Sequence, residues 1–243
     1  MHREYKRIAN ESKTAVLFIH GIIGTPNHFK PFLSLVPEDF SIHNLLLDGH
    51  GKGVRDFSRT SMKKWETQVE TAVSELAETH ENILVAAHSM GTLLAIEQAV
   101  RCDKVKALFL LAVPIKIHVR LRNWIITTRI FFNRVHPDDR ITLAAKDCSG
   151  VQLSKNPFLY LGWVPRFLEL FQKIRQTKKL LPQLHTPCNA YQSTEDELVS
   201  VHSAPYLQTH SDMTVCTLKN STHYYYDPQE LQQLQAAFKE LMK

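Results

Sequence analysis

The sequence predicts an α/β protein, a mostly parallel sheet covered by helices on both faces. Short apolar runs rich in branched residues alternate with amphipathic helical stretches along the chain. Six of the only eight glycines crowd into three short loops that follow such runs, where the backbone must turn tightly or let something approach. The size agrees: 243 residues with 44% apolar and 22% charged content can bury a large core without staples. That balance excludes a disordered chain, a collagen-like fibre and a disulfide-dense mini-protein. The longest apolar run, residues 107–115, falls far short of the ~20 residues of a spanning helix.

Residues 14–19 (TAVLFI) read as the first buried strand, followed by a helical segment around Pro31 and Phe32. Residues 40–47 are the second strand. Residues 61–79 form a helix, because Trp65, Val69, Ala72, Val73 and Leu76 share one face. The third strand spans 83–87, a helix 92–100, and the fourth strand 105–112, closed by Pro114. The pattern resumes after Pro187 with strands at 188–192 and 213–218. A closing helix starts at Asp227-Pro228, with Asp227 as N-cap, Pro228 in the first position and Glu230 completing a capping box. Its buried stripe is Leu231, Leu234, Phe238 and Leu241. Residues 3–8 are read as an added N-terminal strand joined by a hairpin.

The stretch that interrupts this alternation differs in composition. Residues 115–186 hold thirteen Lys/Arg against four Asp/Glu and eight of the chain's aromatic residues. The expected organisation is therefore a core of 1–114 with 187–243 and a helical cap, 115–186, inserted after the fourth core strand. Most of the cap aromatics are expected to form its own small core, and the rest an apolar acyl pocket.

Ligands of open α/β sheets bind beyond the carboxyl ends of the strands, where the glycine loops lie. Ala87-His88-Ser89-Met90-Gly91 matches the small-x-Ser-x-small elbow between strand and helix, which holds a serine hydroxyl up at the sheet edge. Ser89 is the candidate nucleophile. A serine needs a base, and the base an orienting acid, in the chain order Ser, Asp/Glu, His. His223 alone among thirteen histidines falls between the last strand and the closing helix, so it is the candidate base. Of the acids after the strand at 188–192, Asp196 is the choice, Glu195 the runner-up, and Glu197 a solvated loop charge. The oxyanion donors are the N–H groups of Met90 and Ile22, the latter in the glycine loop 20–24. His20, His88, Asp48 and His50 are assigned to bracing turns.

These residues resemble an α/β-hydrolase, and within it the small bacterial carboxylesterases and monoacylglycerol lipases. The likeness rests on HGIIGTPNHFKPF (20–32), residues 47–70, AHSMG (87–91), residues 176–200 and KNSTHYYYD (219–227). It implies the same Ser89–Asp196–His223 set, with Ile22 and Met90 as oxyanion donors. The departures are Ala87 in the elbow and Thr92 where a second glycine often follows.

The expected activity is hydrolysis of short or medium acyl esters, monoacylglycerols among them, through an acyl-enzyme on Ser89, with no metal or organic cofactor. Thioester or amide hydrolysis, acyl transfer, carbon–carbon cleavage and a ligand receptor are the alternatives on this scaffold. The expected partner is a small acyl ester. Nucleic acid is not expected, because the charge is local and no recognition motif accompanies it. The basic cap raises contact with anionic lipid as a second idea, weighed against an ordinary solvated face. Oligomeric state is left open. A charged N-terminus without an apolar stretch and four scattered cysteines (Cys102, Cys148, Cys188, Cys216) suggest a reduced cytoplasmic protein.

Overall fold

The computed structural model describes residues 2–243. Runs of branched and aromatic residues become strands, and the amphipathic stretches between them become helices. In chain order these are β1 (Tyr5–Arg7), β2 (Thr14–Ile19), α1 (Lys30–Leu33), β3 (Ser41–Asn44), β4 (Lys52–Gly53), α2 (Val54–Arg59), α3 (Met62–Thr79), β5 (Asn82–His88) and α4 (Met90–Arg101). There follow β6 (Val105–Leu111), α5 (Leu121–Phe131), α6 (Arg140–Cys148), β7 (Val151–Gln152), α7 (Val164–Leu180), β8 (Cys188–Ser193), α8 (Ser203–Leu207), β9 (Met213–Leu218) and α9 (Pro228–Glu240). Seven strands make one sheet in the order β1-β3-β2-β5-β6-β8-β9. All neighbours run parallel except β1, which is antiparallel to β3.

Side chains alternate across a strand, and β2 shows the consequence. Leu17 and Ile19 enter one core, with Trp65, Val69, Leu93 and Ile96 from α3 and α4. Val16 and Phe18 enter the other, with Phe29, Phe32, Phe109 and Phe238 beneath α1 and α9. Phe238 sits 5.3 Å from both Phe32 and Phe109 between ring centroids, so the closing helix is keyed to the sheet by aromatic contacts.

Three local expectations change. The N-terminal strand does not pair with the strand that follows it. It adds to β3, because β2 already has β3 and β5 on its two edges. The second strand ends at Asn44, not 47: beyond it Leu46 N–H turns to Glu4 Oε2 and Leu47 N–H to His20 Nε2. At α9, Asp227 caps Gln229 N–H at 3.0 Å, but no capping box forms there. Glu230 reaches instead to the loop before the helix, as described below.

The segment between β6 and β8 is tied to the sheet side at several points. β4 pairs with β7, Gly51 N–H donates to Gly150 O at 2.7 Å, and Gly150 N–H to Ile23 O at 2.6 Å. Leu170 and Ile174 of α7 join the core over α3 and α4. Between them Lys173, 1% exposed, makes ion pairs with Glu66 at 2.7 Å and with buried Glu97, which also holds Arg101 at 2.6 Å. Cys188 stands opposite Met213 and Cys216 opposite Tyr191 in the β8–β9 ladder, so these thiols are out of register, and all four cysteines are free. Removing one member of a buried ion pair strands the other charge. Lys173→Ala should therefore lower the unfolding free energy by about 3–5 kcal/mol, read as a fall in urea midpoint at unchanged slope.

Candidate active site

Ser89 is the single residue between β5 and α4, and its backbone lies at φ 52, ψ −125. A non-glycine residue rarely adopts a positive φ, and it persists only where the surroundings enforce it. The enforcement is steric. A Cβ on Gly91 would lie 2.2 Å from Ile19 O and 2.7 Å from His20 O, so only glycine lets α4 start this close to β2. A Cβ on Gly21 would lie 2.8 Å from Ser89 Cβ, which puts the 20–24 loop directly beside the serine. Ala87 is fully buried in the strand before it. Met90 opens α4, so its N–H has no partner within the helix. In the neighbouring loop Ile22 and Ile23 line the same cavity as Ser89, and Ile23 holds a second positive φ of 59. His20 braces this loop: its Nδ1–H donates to Gly21 O and its Nε2 accepts from Leu47 N–H.

His223 and Asp196 meet. The histidine follows β9 and the aspartate follows β8, and Nδ1 lies 2.8 Å from Asp196 Oδ2, both groups buried. An ionised carboxylate only accepts, so Nδ1 carries the hydrogen and Nε2 is left with its lone pair. Asp196 Oδ1 accepts from the N–H groups of Leu198 and Val199, each at 2.7 Å. Burial alone would raise the Asp196 pKa. Its interaction with the His223 ring and the two N–H donors outweigh it and hold the carboxyl below its usual range.

The loop that carries His223 is shaped by groups the sequence did not single out for it. Glu230 accepts from the N–H groups of Lys219, Asn220 and Ser221 and from the Ser221 hydroxyl, and these donors hold its pKa low against burial. His88 Nε2–H donates to His223 O at 3.0 Å. Its ring stacks on His28 at 3.8 Å, and His28 Nε2 meets the Tyr226 hydroxyl at 2.7 Å. Burial pushes the pKa of His28 down to about 3 and that of His88 well below the usual value, so both stay neutral.

The two other acids fare differently. Glu195 does not contact His223; it is half exposed and lies 3.7 Å from Arg120 and 3.5 Å from Arg122. Glu197 is not a solvated charge. It is buried, accepts the His223 N–H at 3.0 Å and pairs with Arg122 Nε at 3.1 Å. Its neighbour in sequence, Asp196, faces the ring while Glu197 faces the main chain.

Ser89 and His223 share the wall of one cavity of about 360 Å³. Its other walls are mostly apolar, with Trp124, Ile126 and Ile130 of α5, and Phe167, Leu170 and Phe171 of α7. The expectation of a private aromatic core in residues 115–186 fails. None of the eight aromatics is buried, and Trp124, Phe132, Phe158 and Phe171 are exposed. Trp124, Trp163, Phe167 and Phe171 line the cavity, and Tyr160, Trp163 and Phe167 also pack against the core over α3 and α4. Among the described residues no group of three His, Cys, Asp or Glu converges to hold a metal ion. No helix among them is long and apolar enough to cross a membrane.

A parallel sheet whose edge carries a serine on a strained strand-to-helix turn, an acid after β8 and a histidine after β9 defines the α/β-hydrolase fold. The chain belongs to the serine aminopeptidase S33 family, whose model matches residues 10–227. Its sequence is similar to a thermostable monoacylglycerol lipase of Bacillus sp. (strain H-257), 29% identical over 89 residues, which are 36% of each chain. The match thus spans about a third of that relative. Among solved structures it superposes on one reported for LipS and LipT, metagenome-derived lipolytic enzymes, at TM-score 0.76 and 17% identity, covering 99% of this chain and 97% of that one. The monoacylglycerol lipase of Paleococcus ferrophilus gives 0.67 and 18%, over 99% and 97%. At such identities these two structures share the fold.

Because the folded state depresses the Asp196 pKa, its pairing stabilises the protein above the usual carboxylate range. That contribution is lost as pH falls through the lowered value. The stability advantage of wild type over Asp196→Asn should be full near about pH 6 and shrink toward about pH 3, measured by urea unfolding along that series.

Proposed function

We propose that this α/β-hydrolase is a serine esterase of short to medium acyl chains, monoacylglycerols included, working through an acyl-enzyme on Ser89. The observation that carries the reading is the shared cavity. A serine on an enforced turn and an imidazole whose Nδ1 is tied to a buried carboxylate face one apolar space. Ser89 Oγ attacks the ester carbonyl while His223 Nε2 takes its proton. The tetrahedral oxyanion is received by the N–H groups of Met90 and Ile22, fixed beforehand by α4 and by the loop packed on Ser89. His223 then gives its proton to the leaving alkoxide. Water, activated by the same imidazole, attacks the acyl-enzyme and releases the acid.

Ester is favoured over a peptide with a free amino end by the lining of the cavity. Glu197 is the one carboxylate among the described lining residues, and Arg122 and the His223 N–H already engage it. No lining carboxylate is left to bind a substrate ammonium, while the apolar walls suit an acyl chain. Ser89→Ala should abolish hydrolysis of p-nitrophenyl esters, and the wild type should prefer octanoate to acetate in kcat/KM. Indifference to chain length from acetate to dodecanoate would count against the acyl cavity.

A further reading concerns the rim. Leu121, Trp124, Phe132, Phe158 and Leu161 are exposed within a segment that carries thirteen Lys/Arg against four Asp/Glu. An apolar surface with positive surroundings suits an anionic lipid surface, where monoacylglycerols partition. Flotation with phosphatidylglycerol vesicles should recover the protein at low salt and lose it at high salt; absence from the vesicle fraction at low salt ends this reading.

A further inference from the structure

The main chain of His223 is gripped at both ends. Its carbonyl accepts from His88 Nε2–H and its N–H donates to Glu197 Oε2, each at 3.0 Å. The first grip comes from the residue before Ser89, so it belongs to the sheet body. The second leads outward. Glu197 pairs with Arg122 in the first turn of α5, and the Arg122 guanidinium also donates to the Glu195 carbonyl. Arg120 N–H, just before α5, donates to Glu197 O at 3.0 Å. Asn123, Trp124, Ile126 and Thr127, the residues following Arg122 on the same helix, line the cavity.

A carboxylate as buried as Glu197, at 3% exposure, is tolerated because it is both charge-paired and hydrogen-bonded. If α5 shifts, Arg122 leaves with it and Glu197 loses its compensating charge. The acid then moves toward water and releases the His223 N–H. An acyl chain that packs against the cavity face of α5 favours the seated position and so retains the grip. Resting on the serine-hydrolase reading above, we infer that Glu197 is a positioning residue for His223. Arg122 makes its hold depend on the seat of α5, so that filling the cavity and orienting the base are coupled.

Alkyl fluorophosphonates test this without a known substrate. The Ser89 Oγ–P bond forms, the P–F bond breaks, fluoride leaves, and the hydroxyl proton passes to His223. Labelling rates of a methyl-chain and a decyl-chain probe are compared for wild type, Glu197→Gln, Arg122→Ala and the double variant, with intact mass giving stoichiometry. Each single change should slow decyl labelling on the order of 10- to 100-fold while one adduct per chain is still reached. The double variant should lose no more than the worse single one, as for two members of one unit. The decyl-to-methyl rate ratio should collapse in Arg122→Ala, whereas a merely structural role would slow both probes alike. Wild-type rates in Arg122→Ala, losses that multiply in the double variant, or an unchanged ratio overturn the inference. Should Glu197→Gln not fold, Arg122→Ala at its half-exposed position decides alone. A wild type left unlabelled at Ser89 removes the serine-hydrolase reading itself, and the inference with it.

Discussion

Where α4 leaves β5, its first turn presses on the carbonyls of Ile19 and His20 so closely that position 91 has no room for a side chain. Much follows from that contact. It fixes the direction of α4, which in turn forces Ser89 to a positive φ and lifts its side chain out of the sheet edge. It also fixes the carboxyl end of β2, and hence the 20–24 loop that runs past the serine. The strain at Ser89 is borne by the surrounding packing: Leu93, Leu94 and Ile96 of α4 are almost wholly buried between sheet and neighbouring helices. Were that helix loosely packed, the turn would relax and the hydroxyl would fall back among the strand ends.

The interior around the site is unusually polar for a sheet flanked by hydrophobic cores. Asp196, Glu197, Glu230, His28, His88 and His223 are all buried. Each acid is met by main-chain donors, and Glu197 alone of the three adds a cation, Arg122. Three loop N–H groups converge on Glu230 and two on Asp196. The loops that carry Asp196 and His223 are thus ordered from inside by buried carboxylates. The neutral pair His28–His88 supplies bulk and one directed donor at little electrostatic cost, because burial keeps both rings uncharged.

Local patterns carried most of the architecture. Apolar runs marked six of the seven sheet strands to within a few residues, and the stripe from Trp65 to Leu76 marked α3. Chain order also placed an acid and a histidine on adjoining strand ends, and the structure joins them at 2.8 Å. What escaped were pairings made across long sequence gaps. His88 and His223 are 135 residues apart, Arg122 and Glu197 75 apart. No periodicity announces such contacts. Glu230 stood three residues after an N-cap, a position that fits a capping box, yet the unpaired N–H groups of the preceding loop competed for it and won. Large rings usually find a core of their own, but of the eight aromatics in 115–186 four line the cavity and none is buried.

The hydrogen bonds that run from Gly51 through Gly150 to Ile23 have a practical meaning for anyone who wishes to re-engineer substrate range by exchanging residues 115–186. Position 150 has no room for a side chain, since a Cβ there would sit 2.0 Å from Gly24 O, and its N–H holds the carbonyl next to Ile22. A transplanted segment cut at the two strand ends must bring a glycine to that point, in that register. One that lacks it would leave the loop beside the serine without its outer brace, so the graft would disturb turnover even with a perfectly shaped binding space.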